Sequence, residues 1–261
     1  MRKVLSIALF LVMATMSHQA LALVVTPTNS GLDLVNGILG AGITSVSGIS
    51  YSGANNAASG TFTGGGNIGF DTGILLTTGY AAGAVGPNNS GSYTGPGKST
   101  SLEFDFESTA GKLFFNYVFA SEEYNEYVGS GYNDTFNLLV DGTNIALVPG
   151  TSTPIKINNV NLSSNSAYYR NNSPGPYNTQ YDGLTTVLTA EALGLSSGTH
   201  HMKFLIADVG DSAFDSAVFI QGGTFSDKPP GETPIPEPGT MILLGSGLAG
   251  LASYGRKWFK K

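Results

Sequence analysis

Two short segments hold most of the side chains that could do chemistry in this chain. The first is Ala120-Ser121-Glu122-Glu123-Tyr124-Asn125-Glu126-Tyr127, followed by Asn133-Asp134; the second is Ala207-Asp208-Val209-Gly210-Asp211-Ser212-Ala213-Phe214-Asp215-Ser216. Each begins where a strongly apolar stretch ends and runs into a loop containing glycine. Carboxylates crowded at strand ends repel one another unless a cation or a proton comes between them. Hard oxygen donors in number, with no cysteine in the chain and no histidine in either segment, suit Ca²⁺ better than Zn²⁺ or copper. The candidate metal ligands are Glu122, Glu123, Asp134, Asp208, Asp211 and Asp215. Their spacing is not that of an EF-hand loop, so calcium rests here on charge density and context. Asp208 continues the alternation of Met202, Phe204 and Ile206, and a carboxyl on a buried face needs a donor or a metal. Glu126 reads as a solvated rim residue.

The same acids admit a second chemistry. A glycosidase sets two carboxyl groups across a cleft, and Glu122 or Glu123 with Asp208 or Asp211 would supply them. Acidic pairs are commoner as structural or metal sites, so a non-catalytic protein is the favoured reading and a secreted polysaccharide-active hydrolase the alternative. A Ser-His-Asp triad would draw on His200 or His201, because His18 lies in the leader, and no Gly-x-Ser-x-Gly elbow accompanies them. Being adjacent at a strand start, these histidines project to opposite faces and read as half-exposed. Gly64-Gly65-Gly66 lacks the lysine and helix of a phosphate loop and reads as a turn. Tyr168, Tyr169, Tyr177 and Tyr181 either form a platform for sugars or cap the edge of the sheets.

The elements that must position these groups are strands. Leu102-Glu103-Phe104-Asp105-Phe106-Glu107 alternates apolar and acidic residues, giving one buried and one wet face. Leu113 to Ala120 is apolar almost throughout, as expected of a central strand covered on both sides. Phe136 to Val140 ends at Asp141-Gly142, a hairpin signal, and Ile145 to Val148 returns from it. His201 to Ala207 and Ser216 to Ile220 read as late core strands. Thr186 to Leu195 fits a short helix or a strand, and 158–181 reads as a long polar loop. From Gly37 to Gly97 glycine recurs every few residues, which suggests short strands and tight turns without a fixed repeat. The fold class expected is all-β, an antiparallel β-sandwich of jelly-roll type, with a parallel solenoid as the alternative that the missing repeat weakens.

Both ends carry export signals. Arg2 and Lys3 precede an apolar run from Val4 to Met13, and Ala20-Leu21-Ala22 offers a signal-peptidase site, so 1–22 reads as a secretory leader. Lys228-Pro229-Pro230-Gly231 opens a stiff linker over 228–238 after a domain spanning 23–227. Pro236-Glu237-Pro238 then leads into an apolar stretch, 240–254, and a basic end, Arg256-Lys257-Trp258-Phe259-Lys260-Lys261. Fifteen helical residues reach only about 22 Å, short of the roughly 30 Å hydrocarbon core, so a membrane holds them loosely with the basic end cytoplasmic. This order of parts over 236–261 resembles the PEP-CTERM sorting signal of Gram-negative bacteria. The resemblance implies recognition by an exosortase and cleavage near Pro236-Glu237-Pro238, with transient insertion in the inner membrane.

Export changes the charge. All 18 acidic residues lie between Asp33 and Glu237, against only six of the 12 basic ones, so the span 23–238 carries an excess of 12 negative charges where the whole chain carries −6. Such a surface repels nucleic acid and anionic lipid. Export would permit disulfides, yet there is no cysteine, so stability must come from the core and any bound ion.

Several separate motifs occur in order: Ser52-Gly53-Ala54, Gly73-Ile74-Leu75-Leu76-Thr77-Thr78-Gly79, Phe119-Ala120-Ser121-Glu122-Glu123-Tyr124, Tyr132-Asn133-Asp134, Ala146-Leu147-Val148-Pro149-Gly150, Asp182-Gly183-Leu184-Thr185-Thr186-Val187-Leu188-Thr189 and the 207–220 run. Together they resemble the choice-of-anchor L domain, over roughly 44–225. That family occurs on secreted bacterial proteins that end in differing surface-sorting tails. Ser99-Thr100-Ser101 departs from it, since the family often has an acidic residue there; were that acid a ligand, the site here would have one fewer. The expectation is an exported, non-catalytic surface or extracellular-matrix protein of a Gram-negative bacterium. Its work would be adhesion or exopolysaccharide binding, with Ca²⁺ as cofactor and signal peptidase and exosortase as export partners.

Overall fold

The computed structural model describes residues 22–88, 98–173, 175–210 and 213–231. Residues 1–21 of the expected leader, Asp211, the Pro236-Glu237-Pro238 signal and the apolar stretch 240–254 lie outside these residues. Among them, no helix is long and apolar enough to cross a membrane.

The chain forms two antiparallel sheets packed face to face. In chain order the elements are β1 (Val24–Pro27), α1 (Gly31–Ile38), β2 (Ile43–Ser52), β3 (Ser59–Thr63), β4 (Thr72–Thr77), β5 (Ser99–Ser108) and β6 (Lys112–Ser121). They continue with β7 (Thr135–Val140), β8 (Thr143–Asn144), β9 (Tyr169–Asn171), β10 (Gly183–Thr185), β11 (Leu188–Leu193), β12 (His200–Ala207) and β13 (Ser216–Gln221). The larger sheet runs β1-β3-β4-β13-β6-β10-β9, with β11 also on β6; the smaller runs β2-β5-β12-β7-β8.

Local sequence accounts for most of these elements. In β5 the apolar positions Leu102, Phe104 and Phe106 are buried and the intervening acids half-exposed, as the alternation requires. In β6 the pattern is instead buried on both faces. Leu113, Phe115, Tyr117 and Phe119 enter the core between the sheets, while Val118 and Ala120 enter a second apolar cluster on the outer face. Leu23, Phe62, Ile68, Phe70 and Tyr181 belong to that outer cluster, so the larger sheet is a middle layer. The turn after β7 has positive φ at Asp141 (49°) and Gly142 (80°), the geometry that a two-residue hairpin needs. Helix α1 starts where the Ser30 hydroxyl accepts the Asp33 amide at 3.2 Å, and it buries Leu34, Val35 and Ile38.

Several expectations are resolved or corrected. Thr186 to Leu195 contains a strand, β11, because pairing with β6 from Leu188↔Tyr117 to Leu193↔Lys112 places Leu188 and Ala190 in the core. The strand expected over Ile145 to Val148 is replaced by the two-residue β8, after which the chain turns to bridge Leu147 to Pro154. The segment 158–181 contains β9, which pairs with β10 at Leu184↔Arg170. Within it the Arg170 guanidinium donates to the carbonyls of Thr185 and Ile68 and lies 4.9 Å above the Tyr177 ring. A platform of four tyrosines is not present, because Tyr169 and Tyr181 are buried.

Candidate functional site

The two acidic segments meet at one end of the sandwich, and the register explains why. Ser121, the last residue of β6, pairs with Ser216, the first of β13, so Glu122 and Asp215 each stand one residue beyond a paired end. Ala207, the last of β12, pairs with Thr135, the first of β7, so Asp208 and Asp134 do the same in the smaller sheet. Thr78, one residue past β4, completes the group. Both sheets thus contribute carboxylates to one end.

The acids are not solvated. Glu122 and Glu123 are each 1 % exposed, Asp134 1 % and Asp215 0 %, while Glu126 is exposed as its position suggested. Asp134 accepts the Val209 amide at 2.9 Å on one oxygen and the Ser216 hydroxyl at 2.6 Å on the other. The Thr78 hydroxyl accepts the Ser216 amide at 2.9 Å and lies 3.4 Å from Asp215 Oδ1. A side chain on Gly79 would stand 1.9 Å from Asp215 Oδ2, so the site requires glycine there. A backbone bond ties the two segments together, the Glu122 amide donating to the Asp215 carbonyl at 3.1 Å, and the Asp208 amide donates to the Lys98 carbonyl at 2.9 Å, next to β5.

Asp208 is the electrostatic focus. Both its carboxyl oxygens are buried, and neither makes a well-formed hydrogen bond. Burial first, then the negative charge of Asp134 and, less strongly, that of Asp215 push its pKa up to about 9, against the opposing pull of the Thr78 hydroxyl. A proton therefore sits among these carboxylates near neutral pH. Asp134 and Asp215 both act on Asp208, the Glu122 amide is bonded to the Asp215 carbonyl across the β6–β13 pair, and Asp211 lies outside the described residues. Among the described residues, no three His, Asp or Glu side chains are arranged so that they could hold a metal ion. Thr100, within the Ser99-Thr100-Ser101 stretch that departs from the family pattern, is buried, accepts the Ala54 amide at 2.9 Å and donates to the Thr77 carbonyl at 2.7 Å. It braces the strand that carries Thr78.

The histidines form a separate polar cluster on the smaller sheet. His200 is buried rather than half-exposed; its ring packs 5.8 Å from that of Phe106 and bonds the Ser196 carbonyl at 3.0 Å and Asp141 at 2.7 Å. His201 is exposed and lies 2.8 Å from Asp105 and 3.3 Å from Glu103. No serine joins either ring as a nucleophile partner among the described bonds. The pKa of His200 is raised, chiefly by the Ser196 carbonyl and then by Asp141, and that of His201 chiefly by its bond to Asp105. A raised histidine pKa stabilises the fold below about pH 6.5 and loses that contribution as pH rises through the folded value. His200→Ala should accordingly cost about 1–2 kcal/mol at about pH 5.5 and less at about pH 8.5, measured by urea unfolding at both. An equal loss at both would mean that the bond to Asp141 carries no charge.

Sequence reasoning missed one site-like feature, a groove of about 500 Å³ at the edge of β11, whose lining comes from three separate stretches of chain. No local pattern in the sequence marks it.

A search of curated proteins and one of solved structures found no match. The model of the choice-of-anchor L domain family matches residues 24–226, and the model of the PEP-CTERM protein-sorting motif matches residues 234–257. The second match implies recognition by an exosortase during export. The chain belongs to the choice-of-anchor L domain family and is an exported, surface-sorted protein of a Gram-negative bacterium.

Proposed function

We propose that this protein is a non-catalytic component of the cell surface or extracellular matrix, which adheres by binding exopolysaccharide and is stiffened by Ca²⁺ at the acidic end of its sandwich. The observation that carries the non-catalytic reading is the burial of Glu122, Glu123, Asp134 and Asp215. Glycoside hydrolysis needs two carboxyls facing a sugar across a cleft, whereas these face the interior; the groove lies elsewhere and is lined by a single acid, Glu191. Buried acids at the junction of two sheets suit a structural role. Calcium is supported by the negative charge that Asp134 and Asp215 press on Asp208, which a divalent ion would relieve in place of the proton; the described carboxylates as they stand form no ready metal site, so binding would require them to draw together. The tail 240–254 would hold the precursor in the inner membrane until exosortase cleaves near Pro236-Glu237-Pro238.

All members of both hydrophobic clusters lie between Leu23 and Phe225, so the exported span 23–238 is a folding unit suited to experiment. Incubated with matrix polysaccharide from the producing cells, it should co-sediment with the polymer and release no reducing ends. Reducing-end release would favour the hydrolase, and a protein left wholly in the supernatant would refute matrix binding.

A further inference from the structure

We propose that the groove beside β11 is a binding site for a neutral glycan chain. It rests on the reading of this protein as a matrix-binding module and gives that reading a place on the molecule. Among the described residues, β11 pairs with β6 on one side and with no strand on the other, so the larger sheet ends there in an open edge. The groove of about 500 Å³ lies between this edge and the turn after β8, within the range of small-molecule sites.

Its lining has the chemistry that sugars require. Leu147, Val187 and the half-buried ring of Tyr168 offer apolar surface for the C–H face of a pyranose. Beside them stand the Tyr168 hydroxyl and the Glu191 carboxylate, neither of which has a hydrogen-bond partner among the described residues, so both are available to sugar hydroxyls. The Thr189 hydroxyl donates to Asn116 at 2.7 Å, which leaves its lone pairs to accept from a ligand. Register keeps these groups together: Thr189 and Glu191 pair with Asn116 and Phe114, while Leu188 and Ala190 between them turn into the core. The site is therefore built on a strand rather than a free loop.

Charge selects the kind of glycan. Among the described residues, Glu191 is the only charged one lining the groove, and the exported span carries 18 acids against six bases. Both features repel uronic-acid and sulfated polymers, leaving uncharged chains. An open groove also lets a polymer enter along its length, without a free end.

The test is calorimetric titration of the 23–238 fragment with cello-, laminari-, xylo- and mannohexaose, and with alginate as the anionic comparison. At least one neutral hexasaccharide should bind and alginate should not. Tyr168→Ala and Glu191→Ala should each weaken that binding at least tenfold, with Tyr168→Phe, which keeps the ring, weakening it less. Circular dichroism of the variants confirms folding, and Glu191, being exposed, can be changed without touching the core. Undiminished binding in both alanine variants would overturn the groove while leaving matrix binding intact. If no hexasaccharide binds, the neutral-glycan assignment fails; co-sedimentation with the native polymer then shows whether matrix binding fails with it. A homodimer that Tyr168→Ala dissociates, without glycan affinity, would overturn the assignment in favour of strand addition at the β11 edge.

Discussion

Phe225→Ala is expected to destabilise the domain by about 3–5 kcal/mol and to lower its melting temperature by roughly 6–20 °C. Phe225 is fully buried at the junction of both sheets, with ring centroids 5.2 Å from Phe104, 5.2 Å from Phe106 and 5.6 Å from Phe115. Phe104 and Phe106 belong to β5 in the smaller sheet and Phe115 to β6 in the larger, so one ring bridges the layers. Its backbone is bound as firmly: the Phe225 amide donates to the Ile38 carbonyl at 3.0 Å, and its carbonyl accepts the Gly40 amide at 2.9 Å. Ser226 exchanges two bonds with Phe114, at 2.8 and 3.0 Å. Truncation would leave a cavity among rings that cannot collapse onto one another without moving two sheets. The check is a thermal melt of the 23–238 fragment, with Leu193→Ala as the exposed comparison, expected within about 0.5 kcal/mol of wild type. A loss below about 1 kcal/mol for Phe225→Ala would show that the ring does not lock the sheets. The position bears on function, because Phe225 closes the core nine residues before the matched sorting motif begins.

How far such features could be read from the chain depends on how local their causes are. The acid-apolar alternation of β5 and the unbroken apolar run of β6 each carry their burial within a few residues, and both were legible. So was the placement of acids at strand ends, since Ser121 and Ala207 close runs of strong strand formers. What the sequence concealed depends on pairing between distant segments. Glu122 looks like a loop residue until Asp215 closes over it from 93 positions away, with the Glu122 amide bonded to its carbonyl. Tyr169 and Tyr181 look like surface aromatics in a polar loop, but Tyr169, paired through β9 with β10, enters the core between the sheets and Tyr181 enters the outer cluster. Phe225 follows Gly222-Gly223 with no periodic neighbours to announce it. The groove at β11 needs the turn after β8, Tyr168 and β11 to come together, which no window of sequence contains.

Asp208→Asn is expected to stabilise the calcium-free protein at about pH 8 by at least about 1 kcal/mol, some 2–4 °C in melting temperature, while removing its response to calcium. The carboxyl of Asp208 holds its proton up to about pH 9 in the folded protein, whereas in the unfolded chain it ionises near pH 3.9. Between these values the folded state binds more protons than the unfolded one, so stability falls as pH rises, with a slope of at most about 1.4 kcal/mol per pH unit before solvent screening. Asparagine keeps the shape, cannot ionise and offers an amide to Asp134, so this slope should vanish from the variant. His200 and His201 also lose stabilisation as pH rises, but equally in both proteins, and the difference between the two stability curves isolates Asp208. Calcium should act in the opposite direction. Binding requires the carboxylate, so the ion must displace the proton, and its effect on the wild-type melting temperature should grow from about pH 5 to about pH 9. Melting curves across this range, in EDTA and in millimolar Ca²⁺, test both halves. Wild-type stability that is flat with pH in EDTA would mean that Asp208 ionises freely and that Asp134 and Asp215 do not oppress it. A calcium shift that survives intact in Asp208→Asn would place the ion away from this end of the sandwich. If the shift is absent from the wild type as well, the buried acids are held by protons and hydrogen bonds alone, and the stiffness of the domain comes from its packing.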